Sequence, residues 1–369
     1  MSTTSLEQRI YNFSPGPAVL PVSVLERVRD DLLCYPGAGC SILEISHRDQ
    51  IFLDILQGAE QSLRNLLGVD NNYAVLFLQG GARLQFSMLP ANLLRGRAEP
   101  AQYLITGSWS KYALAEAKKE GPVEVLWDGK ATNYDRLPST AEFRPAADAA
   151  YVYYCSNETI QGVQFADEPA NGTAPLICDA SSDFLSRPVN MNRYGVLFAC
   201  AQKNAGPAGV TVVIIRRDLL QRGDVQLPGY LLMRNHAEND SSWNTPPTFA
   251  IYVLGLVAQW LQEEIGGLAA MERRNRAKAQ LLYNLLDRYP TLYQGHARPD
   301  CRSQMNVTFR LPDDTTEKDF LRGAAALQLG NLKGHRSVGG IRASIYNAMP
   351  EAGVTTLANY MDDFARRRG

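Results

Sequence analysis

Lys203 stands in a setting that suits covalent chemistry. It belongs to the turn Ala201-Gln202-Lys203-Asn204, directly after an apolar run at 196–200. An amine at the edge of a buried strand tends to lose its proton, and a neutral amine attacks carbonyl groups. Four other apolar runs end in comparable residues. The run 73–78 leads into Gln79-Gly80-Gly81-Ala82-Arg83, a small-residue turn that opens a helix. The backbone N–H groups and dipole of such a turn suit a phosphate. The runs at 102–105, 150–154 and 176–178 are followed by Gly107-Ser108-Trp109, Asn157-Glu158-Thr159 and Asp179-Ala180-Ser181-Ser182.

Taken one at a time, these residues have ordinary explanations. A double glycine is usually a turn, a tryptophan a core aromatic, an aspartate an N-cap and a lysine a solvated charge. Their joint order is what carries chemistry: a phosphate cradle, an aromatic plate, a hydroxyl, a carboxylate and an amine, each at a strand end. Pyridoxal 5′-phosphate (PLP) needs that set: a hold on its phosphate, a face to stack on, a protonated ring nitrogen and a lysine for its aldehyde. Other phosphate motifs fit poorly. Asp128-Gly129-Lys130-Ala131 lacks the Walker hydroxyl and spacing, and no GxGxxG opens a helix. The four histidines are dispersed without ligand spacing, so no metal site is expected.

The elements that must position these groups are legible in the apolar pattern. Helical spacing predicts helices near 21–33 and 49–67, the second stopped by Gly68. Strand-length runs follow at 73–78, 102–105, 123–127, 150–154, 176–178, 196–200 and 210–215. Several lack alternation, as expected of a sheet covered on both faces, and helical stretches such as 111–119 lie between some of them. The pattern predicts an α/β fold with a mostly parallel, doubly wound, seven-stranded sheet. The last run follows a short Gly/Pro loop, which allows it to be antiparallel. Beyond 248 the chain becomes helix-rich, with a long helix at 267–289 carrying Leu268, Met271, Leu281, Leu282 and Leu285. A strand at 305–310, a helix near 317–327 and a final helix complete a smaller α+β domain. The expected division is an N-terminal segment at 1–20, a large domain at 21–262 and a small domain at 263–369.

Composition excludes several classes. The 369 residues are 45% apolar with a formal net charge of −1, and no basic run is long enough for a nucleic-acid arm. The basic tail Arg366-Arg367-Arg368 reads as a cap for the last helix. No apolar run approaches a membrane span, and the start of the chain lacks a secretory pattern. The six scattered cysteines fit reduced thiols, so a cytoplasmic protein is expected. The sequons at 157–159 and 306–308 then have no glycosylation role.

Longer motifs carry a resemblance. They are Asn12-Phe13-Ser14-Pro15-Gly16-Pro17-Ala18, Glu44-Ile45-Ser46-His47-Arg48 and Tyr154-Cys155-Ser156-Asn157-Glu158-Thr159-Ile160. They continue as Ala201-Gln202-Lys203-Asn204-Ala205-Gly206-Pro207-Ala208-Gly209, Asn244-Thr245-Pro246-Pro247-Thr248-Phe249 and the run 334–344, from Gly334-His335-Arg336 to Arg342-Ala343-Ser344. From about Asn12 to Arg368 the chain resembles the phosphoserine aminotransferases, class-V enzymes of PLP fold-type I. The resemblance implies that Lys203 holds PLP as a Schiff base, Asp179 pairs with the pyridinium nitrogen, Trp109 stacks on the ring and Thr159 contacts the cofactor near its phenolic oxygen. It implies that Ala82, Arg83 and Gln202 hold the phosphate, with Asn244 and Thr245 reaching it from the neighbouring subunit of a homodimer. Ala82 stands where many such proteins have glycine, so its methyl requires a negative φ.

By the same resemblance, the reaction exchanges an amino group between L-glutamate and 3-phosphohydroxypyruvate in serine biosynthesis. The four-carbon 3-hydroxy-2-oxo-4-phosphobutanoate of pyridoxine synthesis is an added acceptor. Arg342 suits an α-carboxylate as a bidentate partner. The pairs His47-Arg48 and His335-Arg336 suit a distal carboxylate or phosphate. Two other readings share the fold: a cysteine desulfurase, which needs an activated loop cysteine with Cys301 as the C-terminal candidate, and a non-catalytic PLP-fold binding protein.

Overall fold

The computed structural model describes residues 9–368. The first eight residues, and with them the start of the expected N-terminal segment and of any leader, lie outside the described residues, as does Gly369.

Seven strands form the central sheet: β1 (Tyr73–Leu78), β2 (Ala101–Ile105), β3 (Val123–Asp128), β4 (Tyr151–Cys155), β5 (Leu176–Asp179), β6 (Tyr194–Cys200) and β7 (Thr211–Arg216). Their order across the sheet is β1-β7-β6-β5-β4-β2-β3. The strands from β6 to β3 pair in parallel, whereas β7 runs antiparallel to both β6 and β1. The carboxyl ends of β1, β2, β4, β5 and β6 therefore share one edge of the sheet, where ligands bind in such folds.

Alternate residues of each strand feed opposite faces. Val75 and Phe77 join one apolar cluster with Phe52, Leu56 and Leu63 of helix Gln50–Leu67 and Ile251, Leu254 and Leu261 of helix Thr248–Glu263. Ala74, Leu76 and Leu78 join a second cluster with Phe86, Leu89 and Leu93 of helix Gly81–Leu93. Helices thus cover both faces, which explains the unbroken burial of β1, β4, β5 and β6. β3 is an edge strand and departs from that rule, with Val125 exposed.

A third cluster combines Phe13 with the C-terminal elements. Leu282, Leu285 and Leu286 of helix Leu268–Arg288 pack there with Val307 and Phe309 of strand Asn306–Arg310 and Leu357, Met361 and Phe364 of helix Glu351–Arg366. Leu281, expected on the buried stripe, is exposed; it lies a residue off the face carrying Leu282 and Leu285. Strand Ile341–Ser344 pairs antiparallel with Asn306–Arg310. Tyr11–Asn12 pairs in parallel with Leu329–Gly330, and Ala18 donates its N–H to the Gln202 carbonyl. The N-terminal arm is thereby laid against the Lys203 turn. At the other end, Arg367 donates from Nε to the Asp363 carbonyl, and Arg366 pairs with Asp362. Among the described residues no helix is long and apolar enough to cross a membrane.

Candidate active site

Five strand ends build one cavity of about 360 Å³. β6 delivers Lys203, whose Nζ donates to Thr159 Oγ1 at 2.8 Å and lies 5.6 Å from the centre of the Trp109 ring. β5 ends in Asp179, a buried carboxylate that accepts the Ser181 N–H at 2.9 Å. β1 turns into helix Gly81–Leu93 through Gly80, at φ +88°. A Cβ there would lie 2.5 Å from Leu84 Cδ2, so only glycine permits this tight turn. The turn presents the first N–H groups of the helix, which have no partner within it. Ala82 is not among the residues with positive φ, so its methyl meets the stated condition. Arg83 leans over Trp109 and Tyr112, its guanidinium 5.5 Å and 4.1 Å from the ring centres.

The placement of Trp109 depends on a residue that sequence reading passed over. Glu158, fully buried, accepts the N–H groups of Trp109 and Ser110, both at 2.9 Å, and the Ser110 hydroxyl at 2.7 Å. It sits at the start of helix Ser108–Ala117, where a negative charge is favoured. Gly107 makes room for it, since a Cβ there would lie 2.5 Å from Glu158 Cδ. The two sequon asparagines were also passed over as chemistry: both are buried, and Asn157 Nδ2 donates to Asn306 Oδ1 at 2.8 Å. No signal within either motif links residues so far apart in sequence. Pro15, Gly16, Cys155, Ile160, Ser181, Ser182 and Cys200 also line the cavity.

Burial raises the Asp179 carboxyl above the usual range, opposed by its bonds from Ser181 and by Lys203. Lys203 departs from expectation. Burial lowers its amine, but interaction with neighbouring groups, Tyr346 first and the Asp179 carboxylate among them, outweighs that, and the net direction is upward. Arg342, on strand Ile341–Ser344, is buried; burial lowers its guanidinium, against the pull of Tyr346. Burial also lowers His335, helped by the adjacent charges of Arg342 and Arg336.

The cavity gathers Ala82, Arg83, Trp109, Thr159, Asp179, Gln202, Lys203, His335 and Arg342. His47, Arg48, Arg336, Asn244 and Thr245 are not among its lining residues. Asn244 donates to Gln79 Oε1 at 3.1 Å, and Gln79 Nε2 donates to the Thr245 carbonyl at 3.2 Å, so this pair sits beside the residue that precedes the cradle. A larger hollow of about 750 Å³, between helices Val22–Asp31, Gln50–Leu67 and Thr248–Glu263, contains none of the expected residues.

The donor set fits PLP. One end offers backbone N–H groups with Arg83 for a phosphate, the other a buried carboxylate for a ring nitrogen, with an amine and an indole between them. Trp109 Nε1 and Arg342 Nε are buried without partners in this cavity wall, so polar capacity is open to a ligand. The desulfurase candidate fares differently. Cys301 is buried outside the cavity, hydrogen-bonded to the carbonyls of Asp135 and Arg298, and burial pushes its thiol up to about 11. Such a thiol is inert at neutral pH.

Residues 10–357 match the family model described as aminotransferase class-V. A phosphoserine aminotransferase of Rhodopirellula baltica is 59% identical over 99% of this chain and 98% of its own length. The solved phosphoserine aminotransferase from Bacillus circulans subsp. alkalophilus is 45% identical, with a TM-score of 0.95 over 98% of this chain and all of that one. A PLP-bound phosphoserine aminotransferase from Trichomonas vaginalis is 41% identical, with a TM-score of 0.90 over 96% of this chain and all of that one.

Proposed function

The chain belongs to the class-V aminotransferases, and from that premise we propose that it uses PLP to exchange an amino group between L-glutamate and 3-phosphohydroxypyruvate. The carrying observation is the meeting of Lys203, Thr159, Trp109, Asp179 and the Gly80–Arg83 turn in one cavity.

When bound, PLP supplies an aldehyde that can exchange between amines and a ring that accepts the electrons left by α-proton removal. The residues around it have distinct tasks in this reading. The N–H groups of Ala82 and Arg83, with Gln202, hold the phosphate. Asp179, poor in water, keeps a proton on the ring nitrogen that faces it. Trp109 fixes the ring plane, and Thr159 aims Lys203 Nζ. Lys203 would hold the cofactor through its Nζ, and as a free amine that Nζ would carry the proton that leaves substrate Cα. Arg342 takes the α-carboxylate through two parallel hydrogen bonds. His335 and Arg336, with His47 and Arg48, meet the distal carboxylate or phosphate.

The proposal includes a homodimer with its sites at the interface. Support comes from His47, Arg48, Arg336, Asn244 and Thr245, five polar residues of the recognition motifs that do not line their own chain's cavity. A cytoplasmic setting goes with six unpaired cysteines. A small C-terminal domain is supported by the separate apolar cluster that starts at Ala279 and takes in Phe13, although Ile265, Leu268 and Met271, beyond the expected division at residue 262, still pack with the large domain. A coupled assay tests the substrates: glutamate with 3-phosphohydroxypyruvate should turn over far faster than glutamate with pyruvate or oxaloacetate. Equal rates would remove the phosphorylated acceptor from the proposal, and 3-hydroxy-2-oxo-4-phosphobutanoate in the same assay decides the pyridoxine branch.

A further inference from the structure

Helix Leu268–Arg288 carries a lysine that the site chemistry does not use. Lys278 is 1% exposed, and among the described residues its hydrogen bonds go to backbone carbonyls and none to a carboxylate. Its Nζ donates instead toward four backbone carbonyls, those of Ile345 at 3.0 Å, Tyr346 at 2.8 Å, Asn347 at 3.3 Å and Met349 at 3.2 Å. Burial pushes its ammonium down, to about 7, while four converging acceptors favour the charged form. An unpaired buried cation is costly, and so are carbonyls left without donors. Together they solve each other's problem, which fixes the turn 345–349 around one point.

That turn follows the strand bearing Arg342 and bonds to one lining residue, Pro15, and to two segments that carry others. The Asn347 N–H donates to Asn204 Oδ1 at 2.9 Å, and Asn204 is the chain neighbour of Lys203. Asn347 Nδ2 donates to the Leu185 carbonyl at 2.8 Å, on the segment that leaves Asp179. The Tyr346 hydroxyl donates to the carbonyl of Pro15, a lining residue, at 2.8 Å. One helical turn before Lys278, Asn275 Nδ2 donates to Asn347 Oδ1 at 2.8 Å and to the Ser186 carbonyl at 3.2 Å.

We propose that Lys278 is a positioning residue of the active site: its buried amino group gathers the carbonyls of the 345–349 turn and so sets Arg342 and Lys203 at a fixed spacing. Asn275 serves the same turn from the same face of the helix. The inference rests on the aminotransfer reading above.

The test uses purified holoenzyme and the single-turnover reaction with glutamate, for wild type, Lys278→Met and Asn275→Ala. Both variants should bind PLP stoichiometrically. The rate constant at saturating glutamate should fall by about tenfold or more in Lys278→Met and about threefold or more in Asn275→Ala, because misplaced reacting groups lose rate steeply. A purely structural lysine would lower the melting temperature and leave that rate constant within about twofold of wild type; this result overturns the inference. Should Lys278→Met fail to fold, Asn275→Ala decides by the same criterion. A wild-type chain that does not convert glutamate overturns the aminotransfer reading, and the inference with it. A converting wild type with unaffected variants overturns the inference alone.

Discussion

Single residues in this cavity are set by what surrounds them, and two can be tested separately. Arg342 is buried with its Nε unpartnered, so a ligand carboxylate would meet an already desolvated guanidinium. Arg342→Ala should keep PLP bound and lose at least about 3 kcal/mol of transition-state stabilisation with both substrates, as for a charge left unpaired in a dry site. Steady-state kcat/KM for glutamate and for the phosphorylated acceptor checks this; a loss with one substrate only would reassign the arginine. His335 carries a sign that can be worked out. Its value lies below that of an ordinary imidazole, so it is neutral at pH 7 and gains charge only as pH falls through that lowered value. KM for the phosphorylated acceptor should therefore improve with acidification more in wild type than in His335→Asn. The substrate phosphate titrates in the same range, and the comparison between the two proteins cancels it. Parallel pH profiles would place His335 away from the distal anion.

At the scale of elements, much was legible and the misses have physical reasons. The strands of the central sheet were readable from apolar runs, most plainly where both faces are covered, whereas strand Ile341–Ser344, which carries Arg342, was not read because its four residues alternate with polar ones. The stop at Gly68 was readable because its φ of +67° favours glycine. Lys203, Asp179 and Trp109 were readable from their places after strands. The contacts of Glu158, Asn157 and Lys278 were not readable, since their partners are set by tertiary packing and not by local spacing. Glu158 gives a direct test. Gly107→Ala would push a methyl into its carboxylate, which cannot retreat while it holds Trp109 and Ser110. The backbone there is extended, so the penalty is steric and not conformational. A destabilisation of about 1–3 kcal/mol, read by chemical denaturation, should come with weaker PLP binding. Unchanged PLP affinity would separate the Glu158 clamp from the cofactor plate.

The whole molecule gathers at one sheet edge groups that lie far apart along the chain, from Gly16 to Arg342. A sedimentation or light-scattering mass near twice 40.8 kDa is expected, and a monomer that still binds PLP tightly would remove Asn244 and Thr245 from the phosphate site. The central claim concerns Lys203, whose Nζ lies between Thr159 and the Trp109 ring. Burial alone would lower its amine, and the electrostatics of its neighbours turn the net direction upward. The most direct measurement is to mix the yellow holoenzyme with L-glutamate alone and follow its absorbance together with released 2-oxoglutarate. The account predicts loss of the yellow band and about one 2-oxoglutarate per chain, then no more until an acceptor is added, as a ping-pong exchange requires. An unchanged spectrum with no 2-oxoglutarate, or a Lys203→Ala protein that remains yellow and active, would contradict it.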